Sequence, residues 1–237
     1  MRLPVKIRLM NDIRSNLQRV GEDIEKACLR CGRRSEEVSL MAVSKTQPAE
    51  DVIEAVRAGQ RLFGENRVQE AVDKFSSINE DYTLHMIGHL QRNKVKDAVE
   101  IAACIQSVDA LRTAEKISNI IGRNMMDILI EVNTSGEDTK FGVKDFDGLL
   151  SLIDGCLELP GLNLRGLMTI APFTADQSAV RSSFRNLYTY FNRAASRYGM
   201  KQWDMLSMGM SSDYSIAIEE GSTLVRVGTA IFGQRNI

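Results

Sequence analysis

Lys45 closes a run of apolar and small residues, Leu40 to Ser44, and is followed by a polar turn and the helical pattern of "AEDVIEAVRAG". A lysine at the end of a buried strand needs a reason, because Lys is among the residues least often buried without a partner. The chemistry open to it is nucleophilic: partial burial or a cationic neighbour lowers its pKa and yields an amine able to form a Schiff base. Two later segments have the composition of an anion cup. "LSMGMSSDYSIAIEEG" ends a strand in Ser207, passes Gly209, and offers Ser211, Ser212 and Asp213 at a helix start. Such residues cap helices, and backbone N–H groups exposed there bind anions. "VRVGTAIFG" carries Arg226, then Gly228 and Thr229, whose amides extend the same cup. Asn66, directly after "RLFGE", is placed either to cap a helix or to reach a ligand hydroxyl.

These residues need elements to hold them. Ile7, Met10, Ile13, Leu17, Val20, Ile24 and Cys28 recur at spacings of three and four, the apolar face of a long N-terminal helix ended by Gly32. Eight strand-like runs follow: 39–45, 61–65, 83–89, 104–109, 127–133, 164–170, 203–209 and 224–233. Seven helical segments separate them. Strands alternating with helices pair in parallel through right-handed crossovers, and eight such units close a barrel whose usual size is about 250 residues. An open doubly wound sheet is the alternative, but no G-x-G-x-x-G follows the first strand. The expectation is an α/β fold, a (β/α)8 TIM-type barrel spanning residues 1–237 as one domain, with the N-terminal helix filling the eighth place in the outer ring. Closure sets strand 1 beside strand 8, so Lys45 neighbours Arg226 and the phosphate cup. Active sites of such barrels lie at this end, with phosphate often held by the loops after strands 7 and 8. A carbonyl-reactive lysine, a phosphate cup and an arginine together describe a site for pyridoxal 5′-phosphate.

Plainer readings exist for each residue. Lys45 is then a solvated strand end, Ser211 and Asp213 are helix caps, and Arg226 is an ion-pair partner of Glu65. Lys94 and Lys140 are expected to be exposed near the same face, where they gate or face a substrate.

The bulk numbers narrow the field. Thirty basic against thirty-one acidic residues give a net charge of −1, which points to neither nucleic acid nor an anionic membrane. No apolar run reaches the roughly 20 residues that span a bilayer, and the charged N-terminus lacks a signal-peptide core. A cytoplasmic monomer is expected. Cys28 and Cys31 form a CxxC, but at the end of a helix, where the dipole opposes a thiolate. His85 and His89 sit four residues apart in an extended run, about 13 Å, too far to share a metal ion.

The stretches "AVSKTQP", "FGENRVQE", "HMIGHLQRNK", "SMGMSSDYSIAIEEGST" and "VRVGTAIFGQR" together resemble the YggS/PROSC family of pyridoxal-phosphate-binding proteins. Their order and spacing match from Val43 to Arg235. The resemblance implies a barrel like the N-terminal domain of alanine racemase, with Lys45 forming an internal aldimine and Arg226 near the pyridine nitrogen. It implies that Ser207, Gly228 and Thr229 hold the phosphate and that Asn66 lies near the ring. It further implies control of free pyridoxal phosphate, with apo-enzymes dependent on that cofactor as recipients, and no clear catalytic activity.

Chemistry argues the same way. An arginine at the pyridine nitrogen leaves it unprotonated and weakens the ring as an electron sink. Racemization also needs an acid/base group on each face of the substrate. Lys45 serves one face, and Tyr82, Tyr214 and His89 are the candidates for the other. A carrier of pyridoxal phosphate is therefore expected. A weak single-domain racemase and a Schiff-base aldolase acting through Lys45 are the alternatives.

Overall fold

The computed structural model describes residues 12–233. Eight strands pair in chain order, all parallel: β1 (Ser39–Val43), β2 (Leu62–Glu65), β3 (Thr83–Met86), β4 (Cys104–Val108), β5 (Met126–Glu131), β6 (Leu162–Met168), β7 (Met205–Ser207) and β8 (Leu224–Val227). The barrel closes through β1 and β8, with Met41 opposite Arg226 and Ala42 opposite Val227. Each strand is followed by a helix: α2 (Ala49–Arg57), α3 (Val68–Phe75), α4 (Val95–Ile101), α5 (Leu111–Ile121), α6 (Phe146–Leu157), α7 (Gln177–Tyr198), α8 (Tyr214–Glu219) and, after β8, the single turn α9 (Thr229–Phe232). The (β/α)8 architecture read from the sequence is present. The observed strands are mostly shorter than the expected runs, and the last differs most. The run expected as strand to residue 233 stops at Val227, because the amides of Ile231 and Phe232 turn back onto the Gly228 carbonyl at 2.9 Å.

The N-terminal helix α1 (Ile13–Arg30) takes the eighth place, packed against α8, α9 and α2. Asp12 caps it by accepting from Ser15 N, and Ile13, Val20, Ile24, Ala27 and Cys28 face inward at helical spacing. Ile7 and Met10 lie outside the described residues. The helix ends at the CxxC, where Gly32 adopts a φ of 71° and the Arg33 amide reaches the Cys28 carbonyl. Burial raises the Cys28 thiol pKa, the opposite of redox activation.

Strand alternation sorts the side chains. Ala42, Phe63, Val225 and Val227 point out into the main core beneath the helices, whereas Met41, Val43, Ile87 and Leu224 form a separate apolar cluster. Lys45 continues the parity of Met41 and Val43, and Arg226 that of Leu224. Both are thus carried toward the interior at the end where the strands finish.

Candidate functional site

A cavity of about 400 Å³ opens at that end, with Lys45, Asn66, Arg226, Gly228 and Thr229 on its wall. Five of the six residues picked out from the sequence therefore meet. Val43, Ile87, Ile170 and Phe173 supply apolar wall, so the site is the usual mixture of apolar lining and a few convergent polar groups.

Arg226 is buried, with its guanidinium held at two points. Nη1 donates to Ser207 Oγ at 2.7 Å and Nη2 donates to the Thr169 carbonyl at 2.7 Å. Because Arg only donates, the Ser207 proton goes onward to Gln106 Oε1 at 2.6 Å, and Gln106 Nε2 faces His85 Nδ1 at 2.8 Å. This polarity makes His85 Nδ1 an acceptor and the imidazole neutral. Burial agrees, pushing the His85 pKa down to about 4. Burial also lowers the Arg226 pKa to about 10, opposed by the nearby Glu131 carboxylate, so the guanidinium stays charged near neutrality. Glu131, at the end of β5, is raised to about 7, first by burial and then by Asp109, with Arg226 opposing.

Three readings are corrected here. Ser207 does not reach the cavity as a phosphate ligand. It is fully buried, and its hydroxyl is engaged by Gln106 and Arg226. Two other serines, Ser211 and Ser212, do line the wall. The Ser211 hydroxyl accepts from the amides of Gly228 at 3.2 Å and Ala230 at 3.4 Å. Two backbone donors thus converge on one oxygen, an arrangement suited to an oxyanion. Asp213 starts α8, yet its carboxylate turns back to accept from Met210 N at 2.6 Å. Glu65 is not the partner of Arg226: its Oε1 lies 2.6 Å from Lys74 Nζ. Lys94 and Lys140 are half-buried, not exposed. Lys94 reaches Gln69 and Asp97, and Lys140 reaches Glu137 and the Ala171 carbonyl.

Asn66 is not a helix cap, since Arg67 occupies the N-cap of α3. Its Oδ1 is buried without a hydrogen-bond partner beside the cavity. The β3 loop closes on it through Gly88, where a Cβ would sit 2.2 Å from the Asn66 carbonyl oxygen. The sequence reading missed Gln106, Thr169, Glu131 and Lys74. The signal for Gln106 was present, a single amide inside the apolar run "CIQSV", every residue of which is buried.

The acid/base candidates lie elsewhere. Tyr82 donates to the Phe75 carbonyl, Tyr214 faces Asp23, and His89 pairs with Asp109 at 3.4 Å while stacking on Phe141.

A parallel eight-stranded barrel with a lysine at the end of the first strand and an arginine on the eighth defines the class. The model for the alanine racemase N-terminal domain matches residues 15–236, and the chain belongs to that family. Its relatives include the pyridoxal phosphate homeostasis protein of Vibrio cholerae serotype O1, 42% identical over 96% of this chain and 98% of the relative. Among solved structures, PipY of Synechococcus elongatus PCC7942, with PLP bound, is 34% identical, with a TM-score of 0.82, covering 93% of this chain and all of that one. An unknown protein from Bifidobacterium adolescentis is 33% identical, with a TM-score of 0.88, covering 98% of both chains.

Proposed function

We propose that this chain binds pyridoxal 5′-phosphate covalently through Lys45 and serves in its homeostasis as a carrier, delivering it to apo-enzymes without turning over a substrate. The observation that carries the reading is the shared cavity of Lys45, Arg226 and Asn66. The residues fit that group. Asn66 Oδ1 is a buried acceptor lacking a donor, suited to a ring hydroxyl. The amides of Gly228 and Ala230 already converge on one oxygen, suited to a phosphate. Arg226, fixed by Ser207 and Thr169, presents a rigid donor edge, suited to a ring nitrogen. When bound, the cofactor supplies an aldehyde that condenses with a primary amine with loss of water. Lys45 is the primary amine among the residues that line the cavity.

The carrier reading is supported by the cavity's titratable groups. Among the described residues lining it, only Lys45 and Arg226 titrate, and a guanidinium with a pKa of about 10 is a poor proton shuttle. The PLP-bound relative and the homeostasis names of the homologues point the same way. The four cysteines are unpaired, as suits a reducing compartment such as the cytosol.

The test compares near-visible spectra of wild type and Lys45→Ala, before and after borohydride reduction with peptide mapping. The expected outcome is a band in the wild type that borohydride bleaches, a reduced adduct on the peptide carrying Lys45, and no band in the variant. A wild type that stays colourless with pyridoxal 5′-phosphate added, yet is trapped by borohydride with a sugar phosphate, would point to an aldolase. Exchange of an amino acid's α-proton in deuterated water would point to a racemase.

A further inference from the structure

Lys45 lies between two residues that a single buried charge cluster grips. Lys74, on α3, has a side chain only 5% exposed. Its Nζ donates to the Ser44 carbonyl at 2.6 Å, to Glu65 Oε1 at 2.6 Å and to Glu70 Oε1 at 3.0 Å. Glu65 Oε1 also accepts from Ser44 Oγ at 2.7 Å. Glu70 Oε1 in turn accepts from the backbone amide of Thr46. The residue before Lys45 is thus held by carbonyl and hydroxyl, and the residue after it by its amide.

Thr46 is where strain shows. Its φ is 65°, and among the described residues it is the only non-glycine with positive φ. For a β-branched residue that conformation is costly, and it persists only where the surroundings impose it. Here the Glu70 carboxylate accepts from the Thr46 amide, beside the turn bond from Gln47 N to the Ser44 carbonyl at 3.0 Å. A cluster kept for stability alone would be an odd choice. Buried ion pairs seldom outperform apolar packing, and Glu65 Oε2 is left buried without a partner. Among the described residues, the cluster's side-chain hydrogen bonds beyond its own members go to Ser44 and Thr46.

We propose that Lys74, Glu65 and Glu70 are positioning residues that fix the Ser44–Thr46 segment in one conformation, so that the Lys45 amine enters the cavity already aimed at an aldehyde. The proposal rests on the covalent reading of Lys45. In that step Nζ attacks the aldehyde carbon, a C=N bond forms and one water leaves. The cluster exchanges no proton with the reacting atoms and acts through geometry, which governs such steps steeply.

The test uses full-length wild type, Glu70→Ala, Lys74→Met, and Glu70→Ala combined with Thr46→Gly. Each is mixed with pyridoxal 5′-phosphate. The rate of capture is followed by the near-visible band and by the borohydride-fixed mass on the Lys45 peptide, with the thermal midpoint recorded alongside. Glu70 is partly exposed, so its variant keeps the test alive should Lys74→Met fail to fold. Glu70→Ala is expected to slow capture about 10-fold or more, out of proportion to any change in midpoint. Adding Thr46→Gly is expected to restore at least half of the lost rate on a logarithmic scale, because glycine takes positive φ without help. Capture within twofold of wild type in Glu70→Ala would overturn the proposal. So would a slow Glu70→Ala that Thr46→Gly does not rescue. A wild type forming no adduct at Lys45 would instead sink the covalent reading, and this proposal with it.

Discussion

At the scale of single residues, Ser207 shows how much depends on which way a hydroxyl points. It accepts from Arg226 Nη1 and donates to Gln106 Oε1, so it supports the guanidinium from below and does not touch what the cavity holds. Removing the hydroxyl strands a charged donor and an amide acceptor in the interior, and each unpaired group costs about 1–3 kcal/mol. Ser207→Ala is therefore expected to lower unfolding free energy by about 2–6 kcal/mol in urea titrations. A direct phosphate ligand would behave differently, with stability of the free protein unchanged and only ligand affinity reduced. Stability within about 0.5 kcal/mol of wild type would refute the supporting role.

At the scale of elements, the loop from β7 into α8 is set by Gly209. Its φ is 95°, and a Cβ there would lie 2.5 Å from Ala217 Cβ and 2.9 Å from Tyr214 Cα. Gly32 makes a useful control, with a φ of 71° but nothing within 4 Å of the added atom. Alanine at Gly32 meets only the backbone penalty, about 1 kcal/mol. Alanine at Gly209 adds overpacking, a further 1–3 kcal/mol. Equal losses in thermal melts of the two variants would mean that the loop does not need its close approach to α8. The same loop marks where the sequence stops being legible. Strand-like runs between helical segments identified β1 through β7, and the parity of Met41, Val43 and Lys45 carries the lysine to its place because a strand repeats every two residues. Ser207 and Ser211 are the same residue type four positions apart. β7 has only three residues before the chain turns at Gly209, so no pattern tells which hydroxyl faces the cavity. Lys74 was obscured for the opposite reason. In "VQEAVDKF" it reads as a solvated charge on an amphipathic helix, and only the packing of α3 against β2 turns its ammonium toward the Ser44 carbonyl. The end of β8 was missed because apolar residues resume at Ala230, directly after Gly228 and Thr229, and continue through α9.

At the scale of the whole molecule, the near-zero net charge conceals an interior with charges that the fold must keep. Arg226 is among them, and Glu131 is its acidic neighbour, with Oε2 buried and lacking a hydrogen-bond partner. Burial lifts the Glu131 pKa from its usual 4.5 to about 7, so the folded state holds the proton that the unfolded chain has released. Stability from this group is fully present below pH 4.5 and is lost as the pH rises to about 7. The linkage of about 1.4 kcal/mol per pH unit puts the whole effect on the order of 3 kcal/mol. Glu65 is shifted in the same direction, first by burial, so the slope of the wild-type curve alone does not isolate Glu131. The difference between wild type and Glu131→Gln does, because Glu65 is common to both. Glutamine keeps the shape and cannot ionise. The variant's unfolding free energy relative to wild type is expected to climb by about 3 kcal/mol between pH 4.5 and 8, in denaturant titrations at constant ionic strength. Parallel curves would mean that Arg226 holds Glu131 ionised in the folded protein, and that the two form a true ion pair in place of a buried acid beside a separately anchored guanidinium.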